Sequence, residues 1–433
     1  MQATPASRVD RTPAWAFAAV GVATAVLAWL RLSPTTRATL WAEDGREFLG
    51  DRLREGPLQS WLDVYAGYLH AVPRAMADAV VSFLPVDRYA LGMAALSCAV
   101  VGLVAALVVR CSAGVVPWLP GRVALGLATA LLPAVPVEVL GNAANVHWAF
   151  LWLAPWLLLA SPRSDREAVG LGGIGLVAAL TELQVAWFLP LVLHRWSDRR
   201  RWWVRGGVLL GLVAQGVATL VAPRGDENDG GWGLRSIAEG YVVDAVASTW
   251  TGSAEVVGDL VRGHGLLPLL LTVVPFAAAL VLVLRRGVRE ERLAAVALAL
   301  GSVVVWAAAA IVNPWEGLGY PGYTAARWQS FALVRYGVVP ALFLFALVVL
   351  AAATLRREGR RLPAWALLGA LGLAAVLSFD VPQRTRDDGP RWEDEVEGAR
   401  ERCATAAPDT EIDVPVAPEG WWVDLRCSQL GDP

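Results

Sequence analysis

A charge placed in hydrocarbon costs about 3 kcal/mol or more unless it is paired, solvated or used. In an apolar chain the ionisable residues are therefore the ones that need a reason. The stretch "LWAEDGREFLG" carries two side by side, Glu43 and Asp44. Adjacent carboxylates can hold a divalent cation through hard oxygen ligands, and one of them can take a proton from a hydroxyl. "YAGYLHAVPR" spaces His70 and Arg74 four residues apart, on one face of a helix whose start Pro73 marks. Imidazole with guanidinium suits a phosphate. "EVLGNAANVHW" offers Glu138, Asn142, Asn145 and His147, whose amides and ring suit sugar hydroxyls. "AALTELQVAWF" holds Thr181, Glu182 and Gln184, and Glu182 is the carboxylate set deepest in apolar sequence. "NPWEGLGYPGYTAARWQSFALVRYGVVP" holds Glu316, Arg327, Arg335 and Tyr336. Arg335 opens an apolar run, and a guanidinium binds phosphate bidentately. Each group also has a plain structural reading. Glu43 and Asp44 can start a solvated loop, His70, Arg74 and Arg327 can anchor to headgroups, the asparagines can satisfy their own turn, and Glu182 can pair with an arginine.

The elements that must position these groups are membrane helices. The chain has 433 residues, 56% hydrophobic and only 18% charged, with 21 Trp. Its mean hydropathy is +0.48. Several apolar runs approach the roughly 20 residues that cross a bilayer core. The fold class expected is an all-α polytopic membrane protein. A net charge of −2, segregated by loop, gives no nucleic-acid signal. All the basic residues are Arg, which reports codon usage and not function. The run from about Ala14 to Leu32 is too long for a cleaved signal and reads as a retained first span. No Walker loop, G-x-G-x-x-G, HExxH or nucleophile elbow is present, so ATP-driven and dinucleotide-dependent machinery has no support.

Arg clusters mark cytoplasmic loops. They fall at Arg8/Arg11, Arg110/Arg122, Arg163/Arg166, Arg195 to Arg205, Arg285 to Arg292 and Arg356 to Arg361. An even number of crossings between successive clusters gives about eleven spans. They lie near 14–32, 89–109, 123–137, 147–160, 168–181, 183–194, 206–222, 265–284, 293–312, 333–355 and 363–379. The N-terminus is then cytoplasmic and the C-terminus extracytoplasmic, in a multi-pass plasma-membrane protein. The hairpins 123–160 and 168–194 are short. A half-hairpin of about 13 residues covers roughly 20 Å, less than the roughly 30 Å core. Tips that stop inside the bilayer must pack on protein or line a wet cavity, so a cavity open to the outside is expected above them.

Residues 1–379 are expected to form the transmembrane domain, with external loops 33–88, 223–264 and 313–332. In the first loop "EDGREFLGDRLREG" reads as an amphipathic helix, with Phe48, Leu49 and Leu53 on one side and Arg46, Asp51, Arg54 and Glu55 on the other. It would lie along the membrane surface. The second loop opens on a flexible acidic turn, "PRGDENDGG", followed by an interfacial helix. Residues 380–433 form a small extracytoplasmic domain, a charged helix and then strand-like "EIDVPVAP" and "GWWVDLRC". Outside the cytoplasm, Cys403 and Cys427 can form a disulfide.

The acidic pair after the first span, the external loop that carries it and the external C-terminal domain with a cysteine pair resemble the GT-C class of integral-membrane glycosyltransferases, especially its actinobacterial branch. Glu43-Asp44 in "WAEDG" matches the acidic pair of that class in type and position. The resemblance implies a polyprenyl-phosphate sugar as donor, reaching the site laterally from membrane lipid. It implies transfer, with inversion, to an extracytoplasmic acceptor glycan, lipid or protein of the cell envelope. Asp44 or Glu43 would deprotonate the acceptor or hold a metal, with Asp44, the usual second position, preferred as base. Arg335, with Arg74, His70, Tyr336 and Arg327, would neutralise the leaving phosphate. Asn142, Asn145, His147, Glu182 and Glu138 would line the sugar or acceptor side. Metal use varies in the class, which leaves Mg or Mn as the candidate cofactor and nothing firmer. The competing expectation is a transporter or flippase of a lipid-linked or anionic sugar. Paired repeats with broken helices would mark one, and none is evident. An assembly or receptor protein is a third, and leaves Glu182 and the acidic pair unexplained.

Overall fold

The computed structural model describes residues 12–135, 138–225, 233–314, 316–380 and 384–430. The principal helices are α1 (Ala14–Leu30), α2 (Ala71–Phe83), α3 (Tyr89–Cys111), α4 (Leu119–Leu131), α5 (His147–Leu159), α6 (Asp165–Thr181), α7 (Arg201–Val221), α8 (Val274–Arg286), α9 (Arg289–Val312), α10 (Val338–Arg357), α11 (Arg361–Leu377) and α12 (Trp392–Cys403). Strands are few. β1 (Val64–Tyr65) pairs antiparallel with β2 (Tyr68–Leu69), and β3 (Glu411–Val416) with β4 (Trp421–Arg426). Among the described residues, five helical segments are long and apolar enough to cross a membrane: Val86–Gly114, Arg201–Val221, Leu267–Arg286, Arg289–Val312 and Arg335–Arg357. This is the architecture of an all-α membrane protein.

The last of these segments is buried on every side, as its uniformly apolar sequence requires. It is the axis of the main core, against which α5, α9 and the segment Leu183–Leu193 pack. Helices α6 and α7 approach backbone to backbone. A Cβ on Gly207 would lie 1.9 Å from the carbonyl oxygen of Gly172, so no side chain fits at this crossing.

Two sequence expectations change. Residues Leu183–Leu193 form a 3-10 helix and not an α-helix. Pro190 within it removes an N–H that an α-helix would need. The first-loop helix runs as a π-helix over Asp44–Leu49 and an α-helix over Gly50–Glu55, but its apolar face is not left for a membrane surface. Phe48 and Leu49 share a second core with Trp392, Val396, Val414, Val423 and Leu425 of the C-terminal segment. The backbones join as well: Ala42 N–H donates to the carbonyl of Ala417 at 2.6 Å, and Ala417 N–H to that of Leu40 at 2.9 Å. The division at 380 therefore runs through one core. Cys403 and Cys427 are bonded in a disulfide, which ties α12 to the residue after β4. Most of the acidic turn after Pro223 lies outside the described residues.

Candidate functional site

A partly open cavity of about 500 Å³ lies where the two short hairpin tips meet the first loop. The tip before α5 contributes Ala144, Asn145, His147 and Trp148. The tip after α6 contributes Glu182, Leu183, Gln184 and Trp187. The first loop adds Glu43, Tyr65, Tyr68 and His70, and the start of the central helix adds Arg335 and Tyr336. Thr219, Arg224, Ala308, Val312 and Asn313, from the ends of α7 and α9, complete the wall.

Local structure explains why each group faces inward. Tyr65 and Tyr68 flank the two-residue turn Ala66-Gly67, both of positive φ. Gln215 of α7 clamps this hairpin: its Oε1 accepts from Leu69 N–H at 2.8 Å, and its Nε2 donates to the Leu69 carbonyl at 3.1 Å. Glu182 ends α6 and caps the 3-10 helix, accepting the Gln184 N–H at 2.7 Å through Oε1. Its Oε2 accepts from Nδ1 of His147, the first residue of α5. Both partners are buried, so a buried carboxylate fixes the ring.

The acidic pair splits. Asp44 is 1% exposed and does not line the cavity. Its two oxygens accept the N–H groups of Ala143 and Ala144, each at 2.8 Å. Burial pushes its carboxyl up to about 7, opposed by those two N–H groups and by Arg386. Glu43 does face the cavity, and its Oε2 has no hydrogen-bond partner among the described residues although shielded from solvent. Asp44, the preferred base of the pair, is therefore the one turned from the cavity, and Glu43 the one that faces it; with both Asp44 oxygens engaged by N–H groups, the residues present do not fit a cation chelated by the pair. Elsewhere Asp51, Glu55 and Asp63 bring carboxylate oxygens within 4.8 Å of one another. Asp51 is already paired with Arg54 and with Arg74.

The cations divide in the same way. Arg335 lines the cavity, with Nη1 3.5 Å from Glu138 Oε2 and its guanidinium over the Tyr336 ring at 5.5 Å. Arg74 does not line it. Its Nη1 is 3.0 Å from Asp51 Oδ2, and its guanidinium lies over Phe48 at 5.6 Å. Arg327 is exposed and stacks on Tyr323 at 5.5 Å. Neither reaches the site, which corrects the expectation for both. His70 lines the cavity, packed on Tyr68 at 4.0 Å between ring centres. Burial first, then His147 and Arg74, hold its pKa well below the ordinary imidazole value, which disfavours a positive charge there toward a phosphate. Of the polar tip residues, Asn145 and His147 line the cavity. Asn142 and Glu138 do not. Asn142 is fully buried and donates to the Glu138 carbonyl, which shapes the turn.

Three groups went unforeseen. Arg386 is buried and donates to the carbonyls of Leu140, Gly141, Thr36 and Thr39 at 2.7–3.3 Å. It staples the tip to the first loop, and nothing in "PQRTRDDG" signals this. Asp244, on a π-helix over Tyr241–Val246, accepts from Val334 N–H at 2.9 Å and from the Tyr320 hydroxyl at 2.5 Å. A lone acid in "YVVDAV" was a legible signal. Arg224 donates to Asn313 Oδ1 at 2.9 Å, joining the ends of α7 and α9 at the cavity wall. Comparison with models of known protein families, with characterised proteins and with solved structures gives no match.

Proposed function

We propose that the chain is a membrane glycosyltransferase that moves a sugar from a polyprenyl-phosphate donor to an extracytoplasmic acceptor. The observation that carries this reading is one cavity that combines Arg335, a carboxylate at Glu43 whose Oε2 has no hydrogen-bond partner among the described residues, and walls of Tyr65, Tyr68, Trp148 and Trp187. A guanidinium at the start of an apolar helix suits a phosphate attached to a lipid. Aromatic faces and the Asn145 amide suit a sugar. Thr219, Ala308 and Val312 come from the ends of α7 and α9, whose outer residues Leu220, Val221 and Ile311 are exposed. A prenyl chain can lie between these two helix ends with its phosphate on Arg335. As the anomeric bond to phosphate breaks, negative charge grows on the leaving oxygens, and Arg335 stabilises it more in the transition state than in the ground state. Glu43 sits at the same end, where it can hold sugar hydroxyls and offset positive charge at the anomeric carbon.

The same reading places the chain in the plasma membrane with about eleven crossings, the shorter apolar helices included, and with the N-terminus cytoplasmic. Cys403 and Cys427 are then on the oxidising side. The decisive experiment gives purified protein a panel of short-chain polyprenyl-phosphate sugars with sugar and alcohol acceptors. Released polyprenyl phosphate is measured for wild type, Glu43→Gln and Arg335→Met. Release that collapses in both variants supports the assignment. No release with any donor, together with movement of a labelled donor across proteoliposomes, would replace it with transport.

A further inference from the structure

We propose that His147, oriented by Glu182, is the general base that takes the proton from the acceptor hydroxyl. This rests on the transferase reading and assigns within it a step that Glu43 and Asp44 would otherwise carry. Glu182 Oε2 engages His147 Nδ1; with that carboxylate as acceptor and the ring neutral, the proton lies on Nδ1 and Nε2 keeps its lone pair. Glu182 is itself held by its other oxygen, which caps the following 3-10 helix through Gln184 N–H. Both residues line the cavity. A cavity-lining ring oriented through Nδ1 by a buried carboxylate, with no hydrogen bond to Nε2 among the described residues, is the arrangement a hydroxyl base requires. The carboxylate also stabilises the imidazolium that forms. His70 is the other imidazole there, but among the described residues its buried position between the rings of Tyr68, Tyr65 and Phe48 brings it no carboxylate to share a proton. Asp44 is held by backbone N–H groups outside the cavity wall, and Glu43 lies toward Arg335.

In the step, the acceptor O–H bond breaks and its proton moves to His147 Nε2. The oxygen's electron pair forms the new bond to the anomeric carbon. The bond from that carbon to the phosphate oxygen breaks, and its electron pair leaves with polyprenyl phosphate, held at Arg335. The imidazolium then returns its proton to water.

The test compares wild type, His147→Ala and Glu182→Gln in donor turnover, in affinity for a short-chain polyprenyl phosphate and in thermal melting. His147→Ala is expected to lose roughly 10²- to 10⁴-fold in turnover while still binding polyprenyl phosphate, and added imidazole is expected to restore a substantial part of it. Glu182→Gln is expected to lose less and to be insensitive to imidazole. Turnover of His147→Ala near wild type would overturn the assignment. So would a loss that imidazole leaves unrelieved alongside lost donor binding, because the pair would then be structural. Absence of turnover in wild type would instead overturn the transferase reading itself.

Discussion

One step along the chain separates Glu43 from Asp44, and that step decides their roles. On a helix it turns a side chain by about 100°. Glu43 is swung to the cavity and Asp44 into the seam with the hairpin tip. Glu43→Gln keeps the shape and removes the charge, and is expected to lower turnover on the order of 100-fold with melting unchanged. Asp44→Ala strips the acceptor from the N–H of buried Ala143, at about 1–3 kcal/mol, and from that of half-buried Ala144. Its primary effect is expected in thermal melting, with activity lost only as the tip loosens. The reverse pattern, a stable Asp44→Ala protein that is inactive, would return Asp44 to the chemistry. The two arginines divide likewise. Arg335→Met is expected to weaken polyprenyl phosphate binding by about tenfold or more, the worth of a charge-assisted hydrogen bond. Arg74→Met is expected to destabilise the fold, because it leaves the buried Asp51 without that partner.

At the scale of elements, Asp44 and Asp244, each 1% exposed, both occupy π-helical turns and hold the segment just before cavity residues. Asp44 holds Ala143 and Ala144, ahead of Asn145 and His147. Asp244 holds Val334, ahead of Arg335 and Tyr336. Gly337 lets the second pair of segments close, since a Cβ there would lie 2.0 Å from the Asp244 carbonyl oxygen. Gly337→Ala is therefore expected to displace the start of α10 and weaken both melting stability and phosphate binding. Burial pushes the Asp244 carboxyl up to about 7 from its ordinary 3.8, against the opposing Tyr320 hydroxyl and Val334 N–H. A folded value above the unfolded one means its contribution to stability is full below the unfolded value. That contribution declines as pH rises through 3.8 to about 7 and is level above. Between pH 5 and pH 8, wild type should lose more melting stability than Asp244→Asn. Equal pH slopes would show that Asp244 does not titrate there.

At the scale of the molecule, the C-terminal segment covers the first loop and so supports the cavity from outside. Removing the residues after 379 would uncover Leu40, Phe48 and Leu49, which are each 2% exposed or less in the intact protein. The truncated chain is expected to express poorly and to melt well below wild type, as read by fluorescence-detected size exclusion. A stable truncated chain would make the segment a separate domain after all.

Much of this protein was legible in its residues, because the signals were local. Apolar run length and Arg placement located the helical segments to within a few residues at most ends, since burial in lipid constrains each segment independently. The short hairpins and their polar tips were legible for the same reason, and they led to His147 and Glu182. What the residues alone could not decide was set by distant contacts. Which carboxylate of the pair meets the cavity depends on two backbone N–H groups about a hundred residues away. Arg74 was turned from the site by Asp51, and Arg386 reached the tip from the far end of the chain. Local sequence carries no trace of such partners, because a hydrogen bond or an ion pair depends on where the whole fold brings the second group.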